Sequence, residues 1–93
     1  MTPEQLSSAI LNALSQLMAE GGLAQAEIPS SVVVERPKNR DHGDWATNVA
    51  MQLGKSFGMT PRQFAEILAS KLETVEGISK VEIAGPGFIN LFV

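Results

Sequence analysis

The sequence predicts a small α+β domain: an antiparallel sheet of three to four strands with about three helices packed on one face. Three observations lead to this prediction. Two segments repeat one helix-start signature, a Gly-Pro-Gly tripeptide separates two strand-like segments, and a hydrophobic fraction of 44% over 93 residues suffices for one modest core. Two independent cores would each be too small to be stable, so residues 1–93 are expected to form a single domain.

Two long helices are predicted from their caps. Thr2-Pro3-Glu4-Gln5 and Thr60-Pro61-Arg62-Gln63 each place a hydroxyl at the N-cap, proline at N1 and glutamine at N3, which is the pattern of a capping box. Apolar residues at helical spacing follow each cap, up to Gly21-Gly22 in the first helix and up to Gly77 in the second.

A third, shorter helix is predicted between these two. Its apolar side begins at Trp45 and ends before Gly58, and either Asp41 or Asp44 offers a carboxylate for its N-cap.

Three short segments are predicted as strands. Val32-Val33-Val34 is β-branched and bounded by prolines, residues 79–83 alternate between apolar and polar, and residues 88–93 run to the end of the chain. Because Gly85-Pro86-Gly87 separates the last two strands, we expect them to form a hairpin.

Composition excludes several classes of protein. The absence of cysteine excludes a disulfide scaffold and a thiolate metal site, and a single histidine argues against structural zinc. No apolar run approaches the ~20 residues of a membrane span, and the first residues lack the basic region of a signal peptide. We therefore expect a cytoplasmic domain that binds no metal and no membrane. We also expect it to be a monomer.

The segment Asp41-His42-Gly43-Asp44 is the best candidate for catalysis, because it places an imidazole between two carboxylates. Thr47 and Ser56 are the nearby hydroxyls, but neither belongs to a nucleophile-elbow pattern. The alternative is structural: one aspartate caps a helix, Gly43 turns the chain and His42 hydrogen-bonds the loop. We favour the structural interpretation and expect no catalytic residue.

The last strand offers a candidate binding surface. Phe88, Asn90 and Phe92 point to one side of it, while the alternate positions are aliphatic and suit the core. An exposed ring beside a carboxamide is suited to stacking an unpaired base and reading its edge. In the other interpretation both phenylalanines belong to the core and Asn90 is an ordinary edge residue.

Charge is unevenly distributed along the chain. The net charge is −3, yet residues 35–62 carry an excess of positive charge that includes Arg36, Lys38 and Arg40. These three side chains are where a polyanion would be contacted, although a solvated loop would show the same pattern.

Three separated segments together resemble the N-terminal appended domain of arginyl-tRNA synthetase. They are Val34-Glu35-Arg36-Pro37-Lys38, residues 41–50 (Asp-His-Gly-Asp-Trp-Ala-Thr-Asn-Val-Ala) and residues 81–90 (Val-Glu-Ile-Ala-Gly-Pro-Gly-Phe-Ile-Asn). Their order and spacing are similar to those of the family, and the resemblance covers nearly the whole chain.

The resemblance implies a domain that contacts the D-loop at the outer corner of an arginine-accepting tRNA. It assigns Phe88 as the platform on which a base stacks and Asn90 as the reader of its edge. Some members carry tyrosine at the aromatic position, whose hydroxyl this chain lacks. Gly85 joins the site because glycine lets another backbone approach closely. Arg36, Lys38 and Arg40 are added from charge alone, and residues 41–48 are assigned mainly to structure.

The resemblance also implies a longer parent. The segments with which class I synthetases bind ATP and activate the amino acid are missing, and the chain stops at Val93 on an apolar strand. We expect this domain to precede a catalytic domain that attaches arginine to tRNA using ATP, and to need no cofactor itself. The alternative function is a protein–protein interaction module that uses the face carrying Phe88 and Phe92.

Overall fold

A computed structural model of the chain describes residues 1–23 and 28–93, apart from the side chain of Arg40. Three helices and three strands form in the described residues: α1 (Pro3–Glu20), β1 (Trp45–Thr47), α2 (Val49–Leu53), α3 (Pro61–Leu72), β2 (Lys80–Ala84) and β3 (Phe88–Phe92). The strands form one antiparallel sheet in the order β1-β3-β2. The predicted α+β class is therefore confirmed.

Both predicted capping boxes are present. The amide of Gln5 donates to the hydroxyl of Thr2 at 3.1 Å, and the amide of Gln63 donates to that of Thr60 at 3.2 Å. Helix α1 ends as predicted, with Gly21 in the left-handed conformation. Helix α3 ends at Leu72, earlier than the predicted Gly77, because the residues that follow it form hydrogen-bonded turns.

The cap of α3 gives a first testable prediction. We expect Thr60→Ala to lower the free energy of unfolding by about 1 kcal/mol, because the Gln63 amide loses its acceptor. The measurement is urea unfolding with an unchanged m-value, and Thr60→Ser is the control because it keeps the hydroxyl. Equal losses in the two variants would show that the capping bond is not the source of the effect.

The predicted middle helix is wrong at its start. Trp45, Ala46 and Thr47 form strand β1, because Ala46 exchanges two backbone hydrogen bonds, at 2.7 and 2.8 Å, with Glu35 while the strand pairs with β3. Only Val49–Leu53 is α-helical, followed by a 3₁₀ turn before Gly58.

The predicted aspartate cap is also absent. The carboxylate of Asp44 accepts from the amide of Val93 at 2.9 Å, and the amide of Asp44 donates to Leu91. Asp44 therefore fastens the start of β1 to β3. The amide of Asp41 donates to the Asn39 side chain at 2.9 Å, so this asparagine begins a short 3₁₀ turn over Arg40–His42.

The predicted strand at Val32-Val33-Val34 does not form. The amide of Val32 donates to the hydroxyl of Ser7 on α1, and the carbonyl of Val33 accepts from the hydroxyl of Thr47, both at 2.9 Å. Sheet pairing begins only at Glu35, as a single bridge to Ala46. The β-branched run is thus fixed by side-chain hydroxyls in place of a strand partner.

The predicted hairpin is confirmed. Strands β2 and β3 pair from Lys80 with Phe92 to Ala84 with Phe88, and the glycine–proline turn joins them. The core lies between the helices and the inner face of the sheet, where Ile89 and Leu91 are fully buried. Among residues 1–23 and 28–93, no helix combines the length and the apolar character needed to cross a bilayer.

Candidate nucleic-acid interface

A groove of about 710 Å³ lies on the outer face of the sheet. Its lining includes Gly85, Phe88 and Asn90 of the β2–β3 hairpin together with Arg36 and Lys38 of the segment before β1. Five of the six residues predicted from the sequence therefore come together around one space. The sixth, Arg40, has a side chain outside the described part of the structure.

Phe88 stands at the rim of this groove. Its relative exposure is 43%, which is unusual for a large aromatic residue. It begins β3 immediately after the turn, where its partner across the hairpin is the small residue Ala84. An exposed ring of this kind can receive a planar ligand on its face.

Asn90 lies on the floor of the groove, deeper than expected. Only 7% of the residue is exposed, because β3 is the central strand and Ala46 and Glu82 flank it on either side. Its carboxamide forms no hydrogen bond with any described residue. Every fully buried polar side-chain atom of the described residues does have a partner, so the amide atoms of Asn90 are not among the fully buried ones. The amide atoms of Asn90 therefore still open into the groove, where they offer a donor and an acceptor.

The turn that carries Phe88 is held by the start of α3. The guanidinium of Arg62 donates to the carbonyl of Gly85 at 2.9 Å. Gly87 has a φ of +151°, and a Cβ on it would lie 2.9 Å from the Cβ of Pro61. Sequence reasoning missed this role of Arg62, because nothing local in the sequence relates it to a turn 23 residues away.

Some of the described lysine and arginine side chains form ion pairs with carboxylates and others do not. Three of the described lysine and arginine side chains form ion pairs: Lys71 with Glu20 at 2.9 Å, Lys80 with Glu82 at 2.9 Å, and Arg62 with Glu66 at 3.9 Å. The described cationic side chains with no acidic partner in this part of the chain are those of Arg36, Lys38 and Lys55. Two of these three line the groove.

Arg36 has a partner of another kind. Its guanidinium carbon lies 4.3 Å from the centre of the Trp45 ring, a cation–π contact. Trp45 pairs with the buried Leu91, so its ring belongs to the side of the sheet opposite to Asn90. The charge of Arg36 is therefore held at the edge of the sheet, whereas Lys38 is free of such a contact in the described structure.

Phe92 is set apart from Phe88. It is partly buried, it does not line the groove, and the ammonium of Lys80 lies 5.1 Å from its ring centre. The two rings thus do not form one continuous apolar surface.

The segment considered for catalysis, Asp41-His42-Gly43-Asp44, lies in the loop that leads into β1. His42 is exposed in the groove and its amide donates to the carbonyl of Asn39 at 2.9 Å. Thr47 is buried, with its hydroxyl donating to Val33. Within the described ranges, no three histidine or acidic side chains lie close enough together to hold a metal ion.

Comparison with known proteins agrees with the fold. The family described as "Arginyl tRNA synthetase N terminal domain" matches residues 4–93. An arginine–tRNA ligase of Pseudarthrobacter chlorophenolicus is 58% identical over the whole chain, which spans 17% of that relative, and one of Renibacterium salmoninarum is 54% identical over 98% of the chain and 17% of its own length.

Two solved structures share the fold. The chain matches Thermus thermophilus arginyl-tRNA synthetase with a TM-score of 0.72 and 22% identity, over all of this chain and 14% of that one. It matches the Plasmodium falciparum arginyl-tRNA synthetase with a TM-score of 0.75 and 14% identity, over 98% of this chain and 16% of that one. The chain thus spans less than a fifth of these relatives. By fold and by sequence, it belongs to the arginyl-tRNA synthetase N-terminal domain family.

Proposed function

We propose that the chain is the tRNA-recognition domain of an arginine–tRNA ligase and that its groove binds an unstacked base of the D-loop. The observation that carries this proposal is the carboxamide of Asn90, which has no protein partner in the described structure and opens onto the floor of the groove that the exposed ring of Phe88 also lines. Because its amide atoms are accessible from the groove and unpaired within the described structure, the edge of a base can hydrogen-bond to them directly.

Phe88 and Asn90 have different roles in the proposed recognition of a base. The ring of Phe88 accepts the face of a base, and stacking of this kind contributes about 1–3 kcal/mol per base without regard to its identity. The carboxamide of Asn90 then distinguishes bases, because it both donates and accepts at the base edge. Single-stranded loops are the RNA elements in which bases can be splayed out in this way. Gly85, which lines the groove beside them, leaves room for the sugar–phosphate backbone.

Phosphate contacts accompany the base contact. Arg36 and Lys38 line the groove without acidic partners among the described residues, and Arg40 follows them in the sequence. The role of Arg40 stays a prediction. A chain with a net charge of −3 is a weak RNA ligand by itself, but tethering to a larger RNA-binding protein raises its effective concentration at the tRNA.

The chemistry of the ligase then belongs to the rest of a longer polypeptide. Relatives that the chain matches over about a sixth of their length are arginine–tRNA ligases. We assign ATP and arginine to the catalytic part of that polypeptide and no cofactor to this domain. Its contribution is selection of the tRNA, which affects the KM for tRNA more than kcat at saturating tRNA.

The proposal is tested by titrating the ¹⁵N-labelled chain with an arginine-accepting tRNA and with a tRNA for another amino acid. We expect the amide signals of residues 85–90 and the carboxamide signal of Asn90 to shift more strongly with the first tRNA, and the affinity to fall as salt is added. Absence of shifts with either tRNA would refute the proposal. Salt-independent binding would instead indicate apolar docking and favour the protein-interaction alternative.

Lys38 provides a second prediction. We expect Lys38→Gln to weaken binding about two- to fivefold on every tRNA tested, because an exposed ion pair contributes up to about 1 kcal/mol. The slope of log K against log salt should also fall by about 1. Lys55→Gln is the matched control, since Lys55 is also exposed and without an acidic partner in the described structure but does not line the groove. Equal effects of the two substitutions would contradict a phosphate contact at Lys38.

A further inference from the structure

Asn48 occupies a helix-capping position without capping the helix. Asparagine is among the preferred N-cap residues because its side-chain oxygen accepts from the first free amides. At α2 the side chain of Asn48 makes no such bond. The hydroxyl of Thr47 accepts from the amide of Val49, at 3.3 Å, in its place. The carboxamide of Asn48 is therefore left without a structural task.

Sheet register places Asn48 beside the proposed stacking platform. Strand β1 ends with Thr47 opposite Ile89, so Asn48 follows one step further, on the level of Phe88. Side chains alternate along a strand, and Ala46 shares the outer face with Asn90. Asn48 therefore follows on that same outer face, and it lines the groove together with Phe88 and Asn90.

The carboxamides of Asn48 and Asn90 both lack a hydrogen-bond partner among the described residues. By contrast, the Asn39 side chain, which also lines the groove, already accepts from the amide of Asp41. Asn48, across the sheet from Phe88, and Asn90, two residues further along β3, thus present two unengaged donor–acceptor groups next to the ring that we assign to stacking. One carboxamide contacts only part of a base edge, whereas two in this arrangement reach a wider part of its hydrogen-bonding pattern.

We propose that Asn48 is a specificity-determining residue, whose carboxamide hydrogen-bonds to the edge of the D-loop base stacked on Phe88. This inference rests on the proposed function of the groove. It adds to that function a second reading group, contributed by β1 and α2 and not by the β2–β3 hairpin. A base change at the stacked position then loses contacts to both asparagines.

The experiment compares Asn48→Ala with Asn12→Ala, a matched control on the exposed surface of α1. Binding is measured for an arginine-accepting tRNA and for transcripts with each other base at the positions of the D-loop. We expect Asn48→Ala to weaken binding of the native transcript about two- to tenfold and to reduce the preference for its base by the same factor, because one hydrogen bond contributes about 0.5–1.5 kcal/mol. Asn12→Ala should change neither quantity.

Further readouts separate recognition from structure. Because the Asn48 side chain does not cap α2, urea unfolding of Asn48→Ala should have the same midpoint and m-value as that of the native chain. The carboxamide signal of Asn48 should shift on addition of tRNA, while that of Asn12 stays in place. An unchanged base preference in Asn48→Ala, or equal weakening on all transcripts with lost stability, would overturn the assignment.

Phe88→Ala measured in parallel identifies which proposal fails. If Phe88→Ala weakens binding and Asn48→Ala retains the full base preference, the groove binds tRNA and only the role of Asn48 is wrong. If neither the native chain nor the variants bind tRNA, the proposed function itself is wrong, and the inference about Asn48 falls with it.

Discussion

Replacing Phe88 by alanine is expected to weaken tRNA binding about 5- to 150-fold, the equivalent of the ~1–3 kcal/mol that stacking of one base contributes. The fold should tolerate the change, because the ring is 43% exposed and its hairpin neighbour is the small residue Ala84. Two measurements check this: the dissociation constant for an arginine-accepting tRNA, and the free energy of unfolding in urea. We expect a large change in the first and a change of only about 0.5 kcal/mol in the second.

Two further substitutions of Phe88 identify the physical origin of the loss. Phe88→Tyr keeps the aromatic face and should retain most of the affinity, whereas Phe88→Leu keeps apolar area without a π-face and should lose nearly as much as alanine. Native affinity in Phe88→Leu would mean that the residue makes an apolar contact and not a stack. That result would favour a protein partner for this face over an RNA base.

The parts of the fold that the sequence predicted are those specified by local interactions. Thr2 and Thr60 each cap a helix through residues three positions away, and the turn at 85–87 brings together strands that are adjacent in the chain. The missed strand β1 is specified from a distance. Trp45-Ala46-Thr47 has apolar spacing compatible with a helix, but pairing with Glu35 on one edge and with β3 on the other decides its conformation.

In the candidate site, too, the features set by local sequence were predictable and those set by tertiary contacts were not. Alternation along β3 placed Phe88 and Asn90 on one face, and the structure places both in one groove. The depth of Asn90 was not predictable, because it follows from the position of β3 between two other strands. The contacts of Arg36 with Trp45 and of Arg62 with Gly85 were missed for a related reason, since each depends on tertiary approach of segments with no shared local pattern.

Gly43 is a position at which a single methyl group should strongly destabilise the fold. Its φ is +107°, and a Cβ there would lie 2.9 Å from the carbonyl oxygen of Leu91. That oxygen belongs to the central strand and also accepts from the amide of Asp44 at 2.9 Å, so it has no room to move. We expect Gly43→Ala to lower the free energy of unfolding by about 2–4 kcal/mol, combining backbone strain with overpacking.

Gly58→Ala separates these two causes. Gly58 also has a positive φ, of +69°, but a Cβ there would meet nothing within 4 Å. Its substitution carries only the conformational cost, about 1–2 kcal/mol. Urea unfolding of both variants therefore measures the steric part of the Gly43 effect by difference. A loss in Gly43→Ala no greater than in Gly58→Ala would show that β3 yields to the methyl group. In that case the floor of the groove, which the same strand forms at Asn90, would be adjustable and not preorganised for a base.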